Sequence, residues 1–344
     1  MSSSTLRRVG EAYQLFQAAM DGNLTAKAKV AESLTTSDFP VLLGDAINYQ
    51  ILAAYEQVNP VWQQYSRRMV VPNFKPQRLL DLRGTRRGLA RVPEATEYPA
   101  RDLDEGALTT FKVEKHGERL PLTWEMVVND ELGAFRGLDQ VIADDARFTE
   151  GTVTADALLN ADRTDLNAAF FGTVETAALT ADNLEQAING LSQKRNSAGQ
   201  TLVRPQLVLV VAPGLEFLAR QLVADVEIRT TSGNRTTVTR NPLAGMVTVV
   251  VEPNLLRNTN AAANTTWLLL PDPNAARPAV VTGFLAGRET PDLRVKNDQG
   301  VRPGGGSIGE TEGSFDDDTI QYRVRHVVGA GTVDNLFTFA SRGA

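Results

Sequence analysis

A serine set between glycines is the first place to look for chemistry. Gly305, Gly306, Ser307, Ile308 and Gly309 fit the Gly-x-Ser-x-Gly pattern of a nucleophile elbow, and Asp316 to Asp318 and then His326 follow in hydrolase order. An elbow needs a buried strand before the serine and a helix after it, so that the hydroxyl stands clear on a sharp turn. Here Asn297 to Pro303 is polar and Glu310 to Ser314 cannot start a packed helix, so Ser307 reads as part of a surface loop. Histidine chemistry has little material, because His116 and His326 are the only two in the chain. His326 alternates with Tyr322 and Val324 and is expected at a core edge or a subunit contact. Asp316, Asp317 and Asp318 lack the alternating acids, central glycine and distal glutamate of an EF-hand loop, which leaves a solvated turn. With no cysteine, disulfides and thiolate zinc sites are excluded. No glycine-rich phosphate cradle of either common spacing occurs. No catalytic, cofactor-binding or metal-binding residue is therefore assigned, and the chain is not read as an enzyme.

Charge is the stronger signal. Residues 67–91 hold eight basic side chains (Arg67, Arg68, Lys75, Arg78, Arg83, Arg86, Arg87 and Arg91) against Asp81. Residues 92–106 then hold Glu94, Glu97, Asp102, Asp104 and Glu105 against Arg101. A segment with a basic half and an acidic half suits contact between copies, since identical subunits repeat complementary patches. Arg83, Arg86, Arg87, Arg91, Glu94, Glu97, Asp102, Asp104 and Glu105 are accordingly the candidate inter-subunit contacts. Phosphate binding by Arg83, Arg86 and Arg87 is disfavoured by the acids close behind them.

The elements that must carry these residues can be read from periodicity. At 344 residues the chain has room for two domains, and 42% hydrophobic and 22% charged residues are ordinary globular usage. The formal net charge of −6 argues against a protein whose task is to grip nucleic acid. Neither a signal peptide nor a membrane span is read, and a cytoplasmic setting is expected. Short helices are expected over the first 40 residues, with a stop at Gly22 and Asn23, and a further helix over Gly44–Val58. Prolines at 72, 76, 93 and 99 and glycines at 84, 88, 106 and 117 break periodic runs through residues 67–120, leaving strand-like pieces such as Thr109 to Val113. That stretch is too long for an ordinary loop and reads as a two-stranded arm projecting from the body. A helix over about 130–160 would span roughly 45 Å and show an acidic face of Asp139, Asp144, Asp145, Glu150 and Asp156. An α/β pattern follows: a helix capped by Thr180, the strand Leu207–Val211, a helix over Gly214–Val223, a loop over 230–241, and strands over Met246–Val251 and Thr266–Leu270. A closing strand alternates Ile320, Tyr322, Val324, His326 and Val328 with polar partners.

This order, with Asn241-Pro-Leu-Ala-Gly245 leading into Met246–Val251 and the ending Phe315–Gly329, resembles the major capsid proteins of tailed bacteriophages with the Hong Kong 97 type fold. The resemblance implies an α+β fold with an N-terminal arm (1–43), a peripheral-domain helix (44–66) and an extended β-hairpin loop (67–120). It further implies a peripheral domain with a long spine helix (121–177), an axial α/β domain (178–275) and a return to the peripheral domain (276–344). The implied function is a head protein that self-assembles as hexamers and pentamers into an icosahedral shell around double-stranded DNA. It would enclose that DNA without sequence-specific binding and contact no membrane. The implied place is the virion capsid, assembled in the host cytoplasm. An encapsulin-type nanocompartment shell is the alternative. Many relatives carry a long helical scaffolding segment ahead of the capsid core, whereas here residues 1–43 are short, so a separate scaffolding protein is expected, with decoration protein and portal as further partners. Some relatives join a loop lysine to a neighbour's asparagine. The candidates here, Lys75, Lys112, Lys115 and Asn335, lack a buried setting in sequence, and a noncovalent shell is expected.

Overall fold

The computed structural model describes residues 39–80, 91–94, 96–98, 108–123, 138–195, 199, 201–224, 227–232, 235–295, 300–301, 307–308 and 319–343, with 14, 15, 18, 23, 25 and 26 ahead of them. Helix α1 (Phe39–Gln57) precedes strands β1 (Ser66–Val71), β2 (Gln77–Leu80), β3 (Leu108–Phe111) and β4 (Glu114–Thr123). Helices α2 (Leu138–Asp156), α3 (Ala168–Phe171) and α4 (Ala181–Ser192) lead to β5 (Leu207–Val211) and α5 (Glu216–Val223). Strands β6 (Glu227–Ser232), β7 (Arg235–Arg240), β8 (Val247–Val251), β9 (Trp267–Pro271) and β10 (Val280–Leu285) follow. The chain closes with β11 (Asp292–Val295), β12 (Gly300–Val301), β13 (Ser307–Ile308), β14 (Thr319–Thr332) and β15 (Phe339–Ser341).

Two units result. The first comprises Met1–Asn59, Glu114–Thr149 and Ala286–Val328. Helix α1 begins five residues ahead of the expected Gly44, because Pro40 falls in the first turn, where its missing N–H has no intrahelical partner to lose. Ala54 and Tyr55 of α1 pack against Ala143 and Ala146 of α2, small side chains that let the two helices approach closely. The Arg147 guanidinium lies 3.5 Å from the centre of the Tyr55 ring and donates to the Tyr55 carbonyl from Nε (3.1 Å) and Nη2 (2.6 Å). Strand β14 has β11 on one side and β4 on the other, both antiparallel. Its alternation buries Tyr322, Val324 and His326 on one face, where His326 meets the Tyr55 ring edge-on at 6.0 Å. Thus His326 is a core residue. Tyr322 is pushed up to about 12 by burial.

The second unit comprises Pro60–Val113, Glu150–Leu285 and Gly329–Ala344. Its centre is the sheet β15-β9-β5-β8, in which β5 runs parallel to β8 and antiparallel to β9. Both β5 and β9 are buried along their whole length, as continuous apolar runs require. Thr180 caps α4 by accepting from the Asn183 N–H, and the helix lays Leu184, Ile188 and Leu191 on that sheet. Each fully buried leucine contributes about 1.5–3 kcal/mol of apolar transfer.

Four sequence expectations change. Residues 66–71 are not part of a projecting arm but pair with β10 in parallel, and residues 114–123 pair with β14. Of the strands within 67–120, β2 and β3 are the ones that pair solely with each other, Gln77 opposite Phe111 and Leu80 opposite Leu108. The stretch expected as a loop over 230–241 carries antiparallel strands instead, β6 paired with β7, because threonine and valine favour strand over loop. Among the described residues the long helix is Leu138–Asp156, about 28 Å, and residues 130–137 lie outside them. Its Glu150, expected on an exposed acidic face, is fully buried.

Candidate assembly surfaces

The charge-segregated segment sits between β2 and β3. Those strands are antiparallel and set Leu80 opposite Leu108. The entry turn is fixed by Asn73, whose Oδ1 accepts from the Lys75 N–H and from Gln77 Nε2, both at 3.0 Å. The exit is anchored by Phe111 and Val113, both buried, with the Phe111 ring filling the space that Gly283 leaves open. Arg91, Glu94 and Glu97 are exposed, and Tyr98 is 81% exposed beside them. The Pro93 carbonyl accepts from the Thr96 hydroxyl at 2.7 Å, which bends the chain between the two glutamates. Arg83, Arg86, Arg87, Asp102, Asp104 and Glu105 lie outside the described residues.

Two other carboxylates are turned inward. Trp62 Nε1 donates to Glu150 at 3.0 Å, and the Tyr65 hydroxyl donates to Glu252 Oε2 at 2.9 Å. Glu252 Oε1 accepts from the Asn254 N–H and Nδ2, capping the turn Pro253–Arg257. Burial raises the Glu252 carboxyl above the ordinary range, and donors from Asn254 and Tyr65 offset this only in part. Burial, then the Glu252 charge, pushes the Tyr65 phenol well up. Each carboxylate is sealed from solvent against an internal donor, so this pair holds the fold and offers no base to a substrate.

Sequence reading missed Asp292. Its Oδ2 accepts from Arg294 Nε at 2.8 Å and from Arg325 Nη2 at 2.7 Å, with Arg288 3.5 Å away. Desolvation would raise this carboxyl, but the bonds and charges of Arg294 and Arg325 outweigh it and hold it below its usual value. The alternation of Arg323 and Arg325 in the closing strand was the available signal, since strand period two places both on one face.

Ser307 forms a two-residue strand opposite Val301, not the turn between strand and helix that an elbow needs. Asp316 to Asp318 lie outside the described residues. A cavity of about 560 Å³ is lined by Glu175, Asn183, Gln186, Lys194 and Phe339; its one hydroxyl, Thr338, donates to the Asn335 carbonyl. Among the described residues no group of three or more His, Cys, Asp or Glu stands close enough to hold a metal, and no helix is long and apolar enough to cross a membrane.

A family model described as phage capsid protein matches residues 107–339, from the approach to β3 to the first residue of β15. The chain belongs to that phage capsid protein family. A search of curated proteins gives no match. Among solved structures the capsid protein is similar to Gordonia phage Cozz, with 14% identity, 81% of this chain and 84% of that chain covered and a TM-score of 0.47. It is similar to the mature capsid of bacteriophage PhiM1, with 14% identity, coverage of 83% and 87% and a TM-score of 0.46. It is also similar to the holo-SrpI encapsulin complex from Synechococcus elongatus PCC 7942, with 12% identity, coverage of 84% and 94% and a TM-score of 0.45. These likenesses are weak, and membership rests on the match over 107–339. As a phage capsid protein the chain has a structural role, a place in the virion capsid and a mixed α+β fold. Residues 83–105 precede the matched stretch, so the family says nothing of them.

Proposed function

We propose that this phage capsid protein is the major head subunit of a Hong Kong 97 type shell, joined as hexamers and pentamers around double-stranded DNA. In this reading residues 1–43 are the N-terminal arm, the extended loop expected over 67–120 is its part from β2 to β3, and α2 is the spine helix within the peripheral residues 121–177. Residues 178–275 make the axial domain, and 44–66 and 276–344 complete the peripheral one. A separate scaffolding protein directs assembly in the host cytoplasm, and portal and decoration protein join the shell.

The observation that carries the reading is the β2 and β3 pair, with residues 91–94 and 96–98 between them in sequence holding neither helix nor strand and exposing Arg91, Glu94, Glu97 and Tyr98. Such a segment is incomplete in one copy and complementary to another. The net charge of −6 suits a wall that encloses DNA without gripping it. The test reverses Arg83, Arg86 and Arg87 to Glu. Surface charges contribute little to a fold, whereas like charges across an interface cost several kcal/mol. The folded triple variant is therefore expected to fail in assembly with the scaffolding protein present. Normal assembly at low ionic strength would remove the loop contact, and wild-type particles that hold a copurifying enzyme in place of nucleic acid would favour an encapsulin.

A further inference from the structure

The sheet β15-β9-β5-β8 continues past β15 by a single bridge. There Glu175 runs parallel to Ser341: its N–H donates to the Ala340 carbonyl and its carbonyl accepts from the Arg342 N–H, both at 2.9 Å. Alternate residues of an extended chain turn their backbone groups to opposite edges, so those of Val174 and Thr176 are directed away from β15. Neither residue makes a hydrogen bond among the described residues, and Thr176 is exposed. The sheet therefore ends on a backbone edge with donors and acceptors to spare.

The 560 Å³ cavity borders the same edge. One wall holds Glu175 and Ala177, which strand period two places on one face, and the other is a face of α4 with Asn183 and Gln186, continued by Lys194 just past the helix. The side chains of Glu175, Gln186 and Lys194 are exposed and make no hydrogen bond or ion pair among the described residues. The two charges stand at opposite ends of the cavity. Glu175 is three residues ahead of Ala178, whose carbonyl accepts from Asn183 Nδ2 at 2.8 Å in the first turn of α4. Lys194 lies beyond the last turn, and from Asn183 to Lys194 the axial distance is about 16 Å at 1.5 Å per residue.

We propose that this edge and cavity together bind an extended peptide of a partner protein as an added strand, with a basic residue against Glu175 and an acidic one against Lys194. An added strand supplies the backbone partners that Val174 and Thr176 lack, which a docked helix cannot do. Its rise of about 3.3 Å per residue sets side chains four residues apart on one face roughly 13 Å from each other, within reach of both charges. An uncommitted acid at one end and an uncommitted base at the other favour one charge order over its reverse, so the pair selects both sequence and direction. The uncommitted Gln186 amide between them offers a donor and an acceptor to the same chain. The proposal goes beyond the shell reading and does not depend on it. A neighbouring copy of this chain is the competing occupant.

The test titrates labelled peptides with blocked ends, Arg-Thr-Val-Thr-Glu and the reverse order Glu-Thr-Val-Thr-Arg, into full-length subunits and into assembled particles. One order should bind both forms about tenfold more tightly than the other order and than peptides with two arginines or two glutamates. Glu175→Lys should weaken that peptide about tenfold, and the peptide with two glutamates should then bind the variant in its place, which also shows the variant to be folded. Methylating alternate backbone nitrogens of the peptide should abolish binding in one of the two frames, because an added strand turns every second N–H to the edge. No binding at millimolar peptide, equal binding of both orders, or indifference to Glu175→Lys would overturn the proposal. Indifference to methylation in both frames would overturn it as well. Binding to subunits but not to particles would give the cavity to a neighbouring copy and overturn it too. Failure to form particles would remove the shell reading alone, since the subunits report on the peptide independently.

Discussion

The Tyr65 hydroxyl donates to Glu252 Oε2 across 2.9 Å with both side chains inside the second unit, Tyr65 fully buried and Glu252 1% exposed. Burial raises the folded-state pKa of Glu252 above its unfolded value, so the fold favours the protonated acid. The stability this contributes is complete below the unfolded pKa and is lost as pH rises through the folded one. Glu252→Gln copies the neutral acid and removes that dependence. Thermal unfolding across the acid-to-neutral range should give variant and wild type similar melting temperatures at low pH, with the variant pulling ahead as pH rises.

Replacing Tyr65 by Phe leaves Oε2 of a buried carboxylate without its donor. An unsatisfied buried acceptor costs about 1–3 kcal/mol, and denaturant unfolding of Tyr65→Phe should show a loss in that range.

Arg147 joins α2 to the end of α1 through the Tyr55 carbonyl and ring. A lysine keeps the charge but not the planar fork that makes both contacts at once. Urea unfolding of Arg147→Lys should therefore show a loss of about 1–2 kcal/mol.

Gly329 sits where the backbone of residues 112–113 crosses: a Cβ there would lie 2.1 Å from the Lys112 carbonyl oxygen and 2.7 Å from Val113 Cα. Because both atoms are backbone, the strand itself must move. Gly329→Ala is expected to destabilise by about 1–3 kcal/mol or more, read as a lower melting temperature.

What was legible in the sequence was local. The Thr180 cap and the apolar run Leu207–Val211 each carry their signal within a few residues, and both stand where periodicity placed them. Strands β1 and β4 were hidden because their partners are remote, Ser66 against Val280 and Thr123 against Thr319, and because Pro72 and Gly117 read as breaks. The inward turn of Glu150 depends on Trp62, 88 residues away, which no helical wheel contains. Arg119, Arg294 and Arg323 are likewise far apart in sequence, and only strand register sets them opposite one another.

A lysine to asparagine bond between copies needs a desolvated amine and a carboxylate placed to move its proton. Lys75, Lys112 and Lys115 are exposed, and Asn335 Nδ2 donates to the Phe170 carbonyl at 2.8 Å. The nearest acid in sequence, Asp334, is already paired with Arg277. Mature particles boiled in detergent should run as one band near 37.3 kDa, and a ladder of heat-resistant multimers would refute the noncovalent shell.

Sedimentation velocity of the purified protein, with and without its scaffolding partner, tests the shell reading most directly. The expected result is a boundary of closed particles of many subunits, seen as hollow shells by electron microscopy. Monomers or dimers alone under every assembly condition would contradict it.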